Sequence, residues 1–210
     1  MPGRLLPLFP LELTLLPHER LPLHIFEDRY KEMIGECLDQ ESEFGVVLQR
    51  GQGILRSGCS ASIEQVTKRY GDGRLDIVTL GRRRFEIVEI DTERSFLRAE
   101  VRYIQDSEFD DPLAESVERS LAAHAVLAGE GSGQTPAVNA PELSYRLTAV
   151  SDDHDFRQTL LSMRSEAERM EKVAEHLEWL VFKRKTQRAM KKVAGSNGHG
   201  RHMAGLGEGQ

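Results

Sequence analysis

Hydrophobic and polar positions follow one period before about residue 110 and another after it. In the first half, short apolar runs and two-residue alternation predict β-strands. "FGVVLQ" (44–49) is a short buried strand, and "SASIEQVTKRY" and "RLDIVTL" flank the turn sequence "GDG" (71–73), which predicts a hairpin. "RRFEIVEI" and "SFLRAEVRYI" form a second strand pair, the latter with one buried and one wet face. Several short strands with one early helix predict a compact, mostly antiparallel β-barrel or sandwich.

The first 40 residues combine a proline-rich segment with one amphipathic helix. We expect residues 5–16 to be extended, and their prolines to confine them to a sheet edge or a tight turn. A helix is predicted over about residues 24–39, with acidic residues in its first turn. Its apolar stripe consists of Phe26, Tyr30, Met33, Ile34, Cys37 and Leu38.

The second half is predicted to be helical. A helix begins at Asp111, "GEGSGQTP" is a linker and "PELSYRLTAV" is a short helix. A long helix then begins near the N-cap Asp153 and runs to about residue 192, with an apolar heptad seam. We therefore predict a β-rich domain over 1–109, a helical subdomain over 110–194 and a disordered tail over 195–210.

The amphipathic pattern fails at "LEWLVF", where apolar residues occupy every side of the long helix. Trp179 lies about 200° around the helix from Leu177. The segment is either clasped within the fold, or it presents Trp179 and Phe182 to a second molecule. We favour a protein contact, through self-association or docking, over internal burial and over a membrane surface.

Charge is distributed unevenly along the chain. The net charge of −6 combines +6 from residue 183 onward with −12 in the preceding residues. An acidic body disfavours nucleic acid as the main partner, because phosphate attraction requires a basic surface. Since no apolar run approaches a membrane span and prolines interrupt the amino-terminal apolar stretch, we expect no membrane segment and a cytoplasmic protein.

Candidate chemistry is sparse. Cys37 and Cys59 are expected to be buried thiols, and the scattered histidines give no zinc-binding spacing. His124 and His176 lie in predicted helices beside charged residues, and we expect both to be solvated. We expect no metal site, no cofactor and no catalytic residues.

Several stretches resemble the amino-terminal substrate-binding domain of the Lon protease family, as found in stand-alone bacterial proteins. They are "LPLFPLELTLLPHERLPLHIFEDRYKEMI", "FGVVL", "GCSASIEQV", "GRLDIVTLGRRRFEIVEI" and "SYRLTAV…FRQTLLSMRSEAERMEKVAEHLEWL". The resemblance spans about residues 4–182. It implies an α+β fold, in which a PUA-like, mostly antiparallel β-barrel with one early helix precedes a helical subdomain with one long helix.

The resemblance also implies a function in binding rather than catalysis. The ATPase and Ser-Lys peptidase modules of the full protease have no counterpart here, and "GEGSGQT" (129–135) lacks the lysine and the glycine spacing of a phosphate loop. The chain is therefore expected not to be an enzyme, but to hold unfolded or apolar polypeptide segments, as an adaptor to a protease or chaperone.

Two surfaces correspond to two hypotheses of function. For polypeptide binding, the candidates are Leu23, Phe26, Arg29 and Tyr30; the alternative for the two aromatic residues is that they pack the helix against the barrel. For RNA binding, as in other PUA-like barrels, the candidates are Arg82, Arg83, Arg84 and the basic run from residue 183 to 192. No aromatic residues alternate with these cations to stack on bases, so RNA is the less favoured alternative.

Overall fold

The structure, a computed structural model, describes residues 5–106, 110–129 and 135–196, the last five of them by backbone only. The strands are β1 (Leu6–Leu11), β2 (Arg20–Ile25), β3 (Phe44–Arg50), β4 (Gly53–Arg69), β5 (Leu75–Asp91) and β6 (Arg98–Tyr103). The helices are α1 (Asp28–Asp39), α2 (Ala114–Ala128), α3 (Leu143–Thr148), α4 (His154–Ser162) and α5 (Glu166–Ser196).

The six strands form one mixed sheet that closes into a barrel. Their order is β2-β5-β4-β3-β1-β6, and an additional β5–β6 pairing joins the far end back to β5. β1 and β3 pair in parallel, and the other pairings are antiparallel. The predicted α+β class, a mostly antiparallel barrel with one early helix and a helical carboxyl-terminal part, is confirmed.

The central hairpin is longer than predicted. β4 and β5 each extend over 17 residues, so the two predicted segments "RLDIVTL" and "RRFEIVEI" are one continuous strand. Three register shifts along the β4–β5 pairing mark bulges that bend the strands. Gly73 adopts a φ of 85° in the predicted turn, which favours a residue without a side chain.

The predicted edge position of the first proline-rich segment is wrong, because β1 lies between β3 and β6. The two pairings cover different halves of the strand. Pro7 pairs with β6, whereas Pro10 pairs with β3. Each proline therefore has a registered neighbour on one side only, and the interior position tolerates both of them.

The first helix begins later than predicted, at Asp28 rather than near residue 24. Residues 24 and 25 are instead the end of β2, where they pair with Asp76 and Leu75. Four residues of the predicted stripe are confirmed as buried on α1, namely Tyr30, Met33, Ile34 and Cys37. Leu38 is only partly buried against the core, and Phe26 precedes the helix and is exposed. Both cysteines of the chain are buried, as predicted.

The predicted long helix is not continuous from residue 153. Asp153 caps α4 as expected, accepting a hydrogen bond from the Phe156 amide at 2.9 Å. However, α4 ends at Ser162, Met163 has an extended backbone, and α5 starts at Glu166. The carbonyl oxygens of Leu161 and Met163 accept hydrogen bonds from the buried Arg84 guanidinium. The Met163 carbonyl oxygen also accepts one from Arg169. The break is therefore stabilised by contacts from outside the segment.

One hydrophobic core connects the barrel to the helices. Phe9 and Phe44 of the barrel belong to the same buried cluster as Leu160 and Met170 of α4 and α5. The residues just before the predicted domain boundary at 109/110, most of the predicted linker and most of the predicted tail lie outside the described residues. The division of the chain into domains stays a prediction. No helix of the described segments is long and apolar enough to span a membrane.

Candidate polypeptide-binding surface

The β2 strand is an open edge of the sheet. Among the described strands it pairs with β5 alone, and Pro22 in its centre has no amide hydrogen to donate. Arg20, Pro22 and His24 alternate with inward-facing residues and are exposed. An edge of this kind offers unpaired backbone groups to an incoming extended chain.

Aromatic side chains cluster where β2 ends. Phe26 is 57% exposed, and its ring stacks on His24 with the ring centroids 5.9 Å apart. The Tyr70 ring packs edge-on against the His24 ring, with the ring centroids 5.8 Å apart. We call Pro22, His24, Phe26 and Tyr70 the β2 patch. Because Phe26 lies outside the core, the patch offers apolar area to a ligand without unfolding the barrel.

A carboxylate holds the β2 patch in place. Asp76 accepts from His24 Nδ1 at 2.5 Å and from the Tyr70 hydroxyl at 2.8 Å. The His24 hydrogen bond, followed by the Tyr70 hydrogen bond, lowers the pKa of Asp76. Lys68 and Arg74 lie over the Tyr70 ring, at 4.4 and 4.8 Å from its centroid. The rings are thus oriented before any ligand arrives, which reduces the entropic cost of binding.

The four predicted peptide-binding residues differ in their exposure to solvent. Phe26 and Arg29 are exposed, and Arg29 lies 4.5 Å from the Tyr30 ring centroid while pairing with Glu27. Leu23 is half-buried and packs against the core. Tyr30 is buried, and its ring meets Phe9 edge-on at 4.3 Å. The alternative that Tyr30 packs the helix against the barrel is therefore correct, and its placement in an open groove is wrong.

Trp179 and Phe182 lie on the outside of α5, 49% and 68% exposed. Trp179 is flanked by the His176 ring at 5.9 Å and by the Lys183 ammonium group at 4.8 Å from its centroid. An open cleft of about 480 Å³ runs beside it, between α2, α5 and the segment before α4. Internal clasping of both side chains is excluded, whereas a contact with a second molecule stays a prediction.

The candidate RNA contacts differ in how accessible they are. Arg82 and Arg83 are exposed within β5, and Arg83 lies over the Tyr103 ring at 3.9 Å. Arg84 is buried and pairs with Asp106, so it is unavailable to a nucleic acid. At the other candidate surface, Arg184 donates to Val126 and Leu127 carbonyls at the end of α2.

Both helical histidines are less solvated than predicted. His124 is buried between α2 and its neighbours, and burial lowers the pKa of its imidazole. His176 stacks on Phe156 with centroids 3.7 Å apart, and its Nε2 lies 2.9 Å from the Ser151 hydroxyl. Burial lowers the pKa of His176, against an opposing contribution from Asp153. Their helical positions beside charged residues do not reveal these packing contacts.

One buried ionic cluster has no signal in the local sequence pattern. Asp106 pairs with Arg84 of β5 and Arg169 of α5, and Glu166 also pairs with Arg169. Burial of Asp106 opposes its ionisation, but the two guanidinium groups outweigh it and lower the pKa of Asp106. The cluster fixes the helices on the barrel.

In the described segments, no group of three or more His, Cys, Asp or Glu residues could hold a metal ion.

The closed six-stranded barrel and the carboxyl-terminal helices define the α+β fold class of the chain. Residues 5–178 match the model of the ATP-dependent protease La (LON) substrate-binding domain. The chain belongs to this family, which confirms the resemblance noted in its sequence.

Solved structures agree with this assignment. A Lon N-terminal domain protein from Xanthomonas campestris has 24% sequence identity and a TM-score of 0.67, over 81% of this chain and 96% of that one. The N-terminal domain of the Mycobacterium avium complex Lon protease has 16% identity and a TM-score of 0.60, over 83% and 98%. At such identities, these likenesses establish the fold.

Proposed function

We propose that this chain is a non-catalytic, cytoplasmic module that holds unfolded or apolar polypeptide segments and presents them to a protease or chaperone. Membership of the substrate-binding family supports a binding role. We expect the purified chain neither to hydrolyse ATP nor to cleave casein.

The exposed Phe26 side chain, held beside an open strand edge, is the observation that carries the proposal. A 57% exposed aromatic ring contributes little to the barrel but can bury apolar area against a client. The adjacent β2 edge can donate and accept backbone hydrogen bonds independently of the client sequence. Side-chain selectivity for apolar segments and sequence-independent backbone pairing together suit an unfolded client.

The proposal is tested by binding of reduced, carboxymethylated α-lactalbumin, a permanently unfolded client, to the wild type and to Phe26→Ala. We expect Phe26→Ala to weaken binding about tenfold, and to change the free energy of unfolding by less than about 0.5 kcal/mol, because the ring is largely exposed.

Two variants serve as comparisons. Val88→Ala removes a similarly exposed apolar side chain, on β5 and outside the β2 patch, and should bind as the wild type does. Tyr30→Ala should instead lower stability by roughly 3 kcal/mol, as for a buried aromatic residue. Equal client affinity of the wild type and a folded Phe26→Ala protein would exclude the β2 patch as the binding surface.

A further inference from the structure

The carboxyl-terminal part of α5 carries a second, separate apolar line. Positions 179, 182, 186, 189 and 193 alternate steps of three and four and hold Trp, Phe, Thr, Ala and Val. This is the a/d spacing of a heptad repeat. We call these five residues the outer seam. The family match ends at residue 178, so the outer seam lies beyond it.

From Trp179 to Ala189, the outer seam points away from the protein's own fold. Leu177 is buried and Val181 packs against the core, and both lie on the opposite side of α5. On that inner side, Arg184 also donates to the last carbonyls of α2, at 3.2 and 2.9 Å. The inner side of the helix is therefore occupied, while the rings of Trp179 and Phe182 remain exposed.

Three of the four positions beside the outer seam are basic. Lys183, Lys185 and Lys192 stand at positions e and g of the heptads, and Met190, which is exposed, takes the fourth such position. No Asp or Glu occurs from residue 179 to 196. Residues at e and g face the flanks of a partner helix, where opposite charges attract and like charges repel.

The basic flanks of the outer seam favour some binding partners over others. A second copy of the same helix would place lysine against lysine on both flanks. An anionic membrane would attract the lysines, but the remainder of the chain is strongly acidic and would be repelled by it. An amphipathic helix with acidic flanks complements both the apolar seam and its charges.

We propose that the outer seam docks an acidic amphipathic helix of another protein. This inference does not depend on client binding at the β2 patch, since it concerns a different surface. The partner helix packs apolar residues at heptad spacing against Trp179 and Phe182, and its Glu or Asp residues pair with the flanking lysines.

Two synthetic, tryptophan-free peptides with Leu at positions a and d test the inference on the full chain. One carries Glu at e and g, and the other carries Lys. Because Trp179 is the single tryptophan, its emission reports docking directly. We expect the Glu peptide to shift the emission to the blue with an affinity that falls as salt is added, and the Lys peptide to cause no shift.

Variants separate docking from unspecific charge attraction. Combined Phe182→Ser and Met190→Ser should weaken binding of the Glu peptide at least about tenfold, whereas Val88→Ser, at an exposed site on β5, should not. Combined Lys183→Glu, Lys185→Glu and Lys192→Glu should reverse the preference toward the Lys peptide.

Four results would overturn the inference. They are equal binding of the two peptides, undiminished binding to the Phe182/Met190 variant, self-association of the chain through Trp179 in sedimentation, and a larger emission shift with phosphatidylglycerol vesicles than with the Glu peptide.

Discussion

Removal of the Asp106 carboxylate should remove the ion pairs that it forms with Arg84 of the barrel and Arg169 of the helices. Asp106 contacts two buried guanidinium groups, those of Arg84 and Arg169, with its Oδ1 2.8 Å from one Arg169 nitrogen. Breaking a buried ion pair by truncating one partner costs about 3–5 kcal/mol, because a charge is left buried without compensation.

The contacts that remain place the expected cost at the lower end of that range. Arg169 keeps Glu166 at 2.6 Å and the Ser144 hydroxyl at 3.2 Å. Arg84 keeps carbonyl oxygens but has no other carboxylate among its described contacts. Since one cation rather than two loses its counter-charge, we expect Asp106→Ala to lower the free energy of unfolding by about 3 kcal/mol.

Urea denaturation followed by far-ultraviolet circular dichroism measures this loss. Asp91→Ala is the matched control, because Asp91 is 22% exposed and Asp106 is 23% exposed, but the partner of Asp91, Arg98, is more accessible than Arg84 or Arg169. A pair of that kind contributes less than about 1 kcal/mol. If Asp106→Ala cost no more than Asp91→Ala, the cluster would not be the tie we describe.

The ion pairs of Asp106 also make the free energy of unfolding depend on pH. The folded-state pKa of Asp106 lies below its unfolded value, so its ion pairs contribute stability that is present above about pH 4. This stability is lost as the pH falls through the folded pKa. Asp106→Ala should lack this component of the acid transition.

Two further outcomes are expected. Gly81→Ala should be strongly destabilising in urea, since a Cβ there would lie 2.1 Å from the Leu16 carbonyl oxygen, whereas Gly35→Ala in α1 meets nothing within 4 Å and should stabilise by up to about 1 kcal/mol; equal effects would contradict the close approach. His124 has a lowered pKa, so its unfolded state binds more protons below about pH 6.5. Stability should therefore fall as the pH drops through that value, and His124→Gln should reduce the fall; an unchanged pH profile would contradict burial of a neutral imidazole.

Local sequence patterns were sufficient for most of the barrel. The "GDG" turn predicted the β4–β5 hairpin, because left-handed backbone at Gly73 and alternating flanks are short-range properties. The apolar stripe of α1 was equally readable, since helical spacing brings Tyr30, Met33 and Ile34 to one face. The Asp153 cap depends on the residues that follow it directly, and it also was predicted.

The candidate site was predicted in part. The sequence identified Phe26 as apolar near the first helix, but it could not distinguish a ring that enters the core from one that leaves it. Only the pairing of β2 with β5 places Phe26 before the helix and exposes it, while Tyr30 one turn further on packs against Phe9. The His24–Asp76–Tyr70 arrangement depends on residues distant in sequence, so no local pattern announces it.

The sequence by itself indicated most of the strands but not β2, together with the apolar face of α1 and the separation of an acidic body from a basic carboxyl-terminal run. Only the tertiary structure decided that β1 is interior, that Arg84 is buried and that the helix breaks at Met163. Each of these depends on partners supplied from elsewhere: β3 and β6 for β1, Asp106 for Arg84, and two guanidinium groups for the Met163 carbonyl. A heptad seam constrains which side of a helix is apolar, but the hydrogen bonds that end the helix here come from remote side chains.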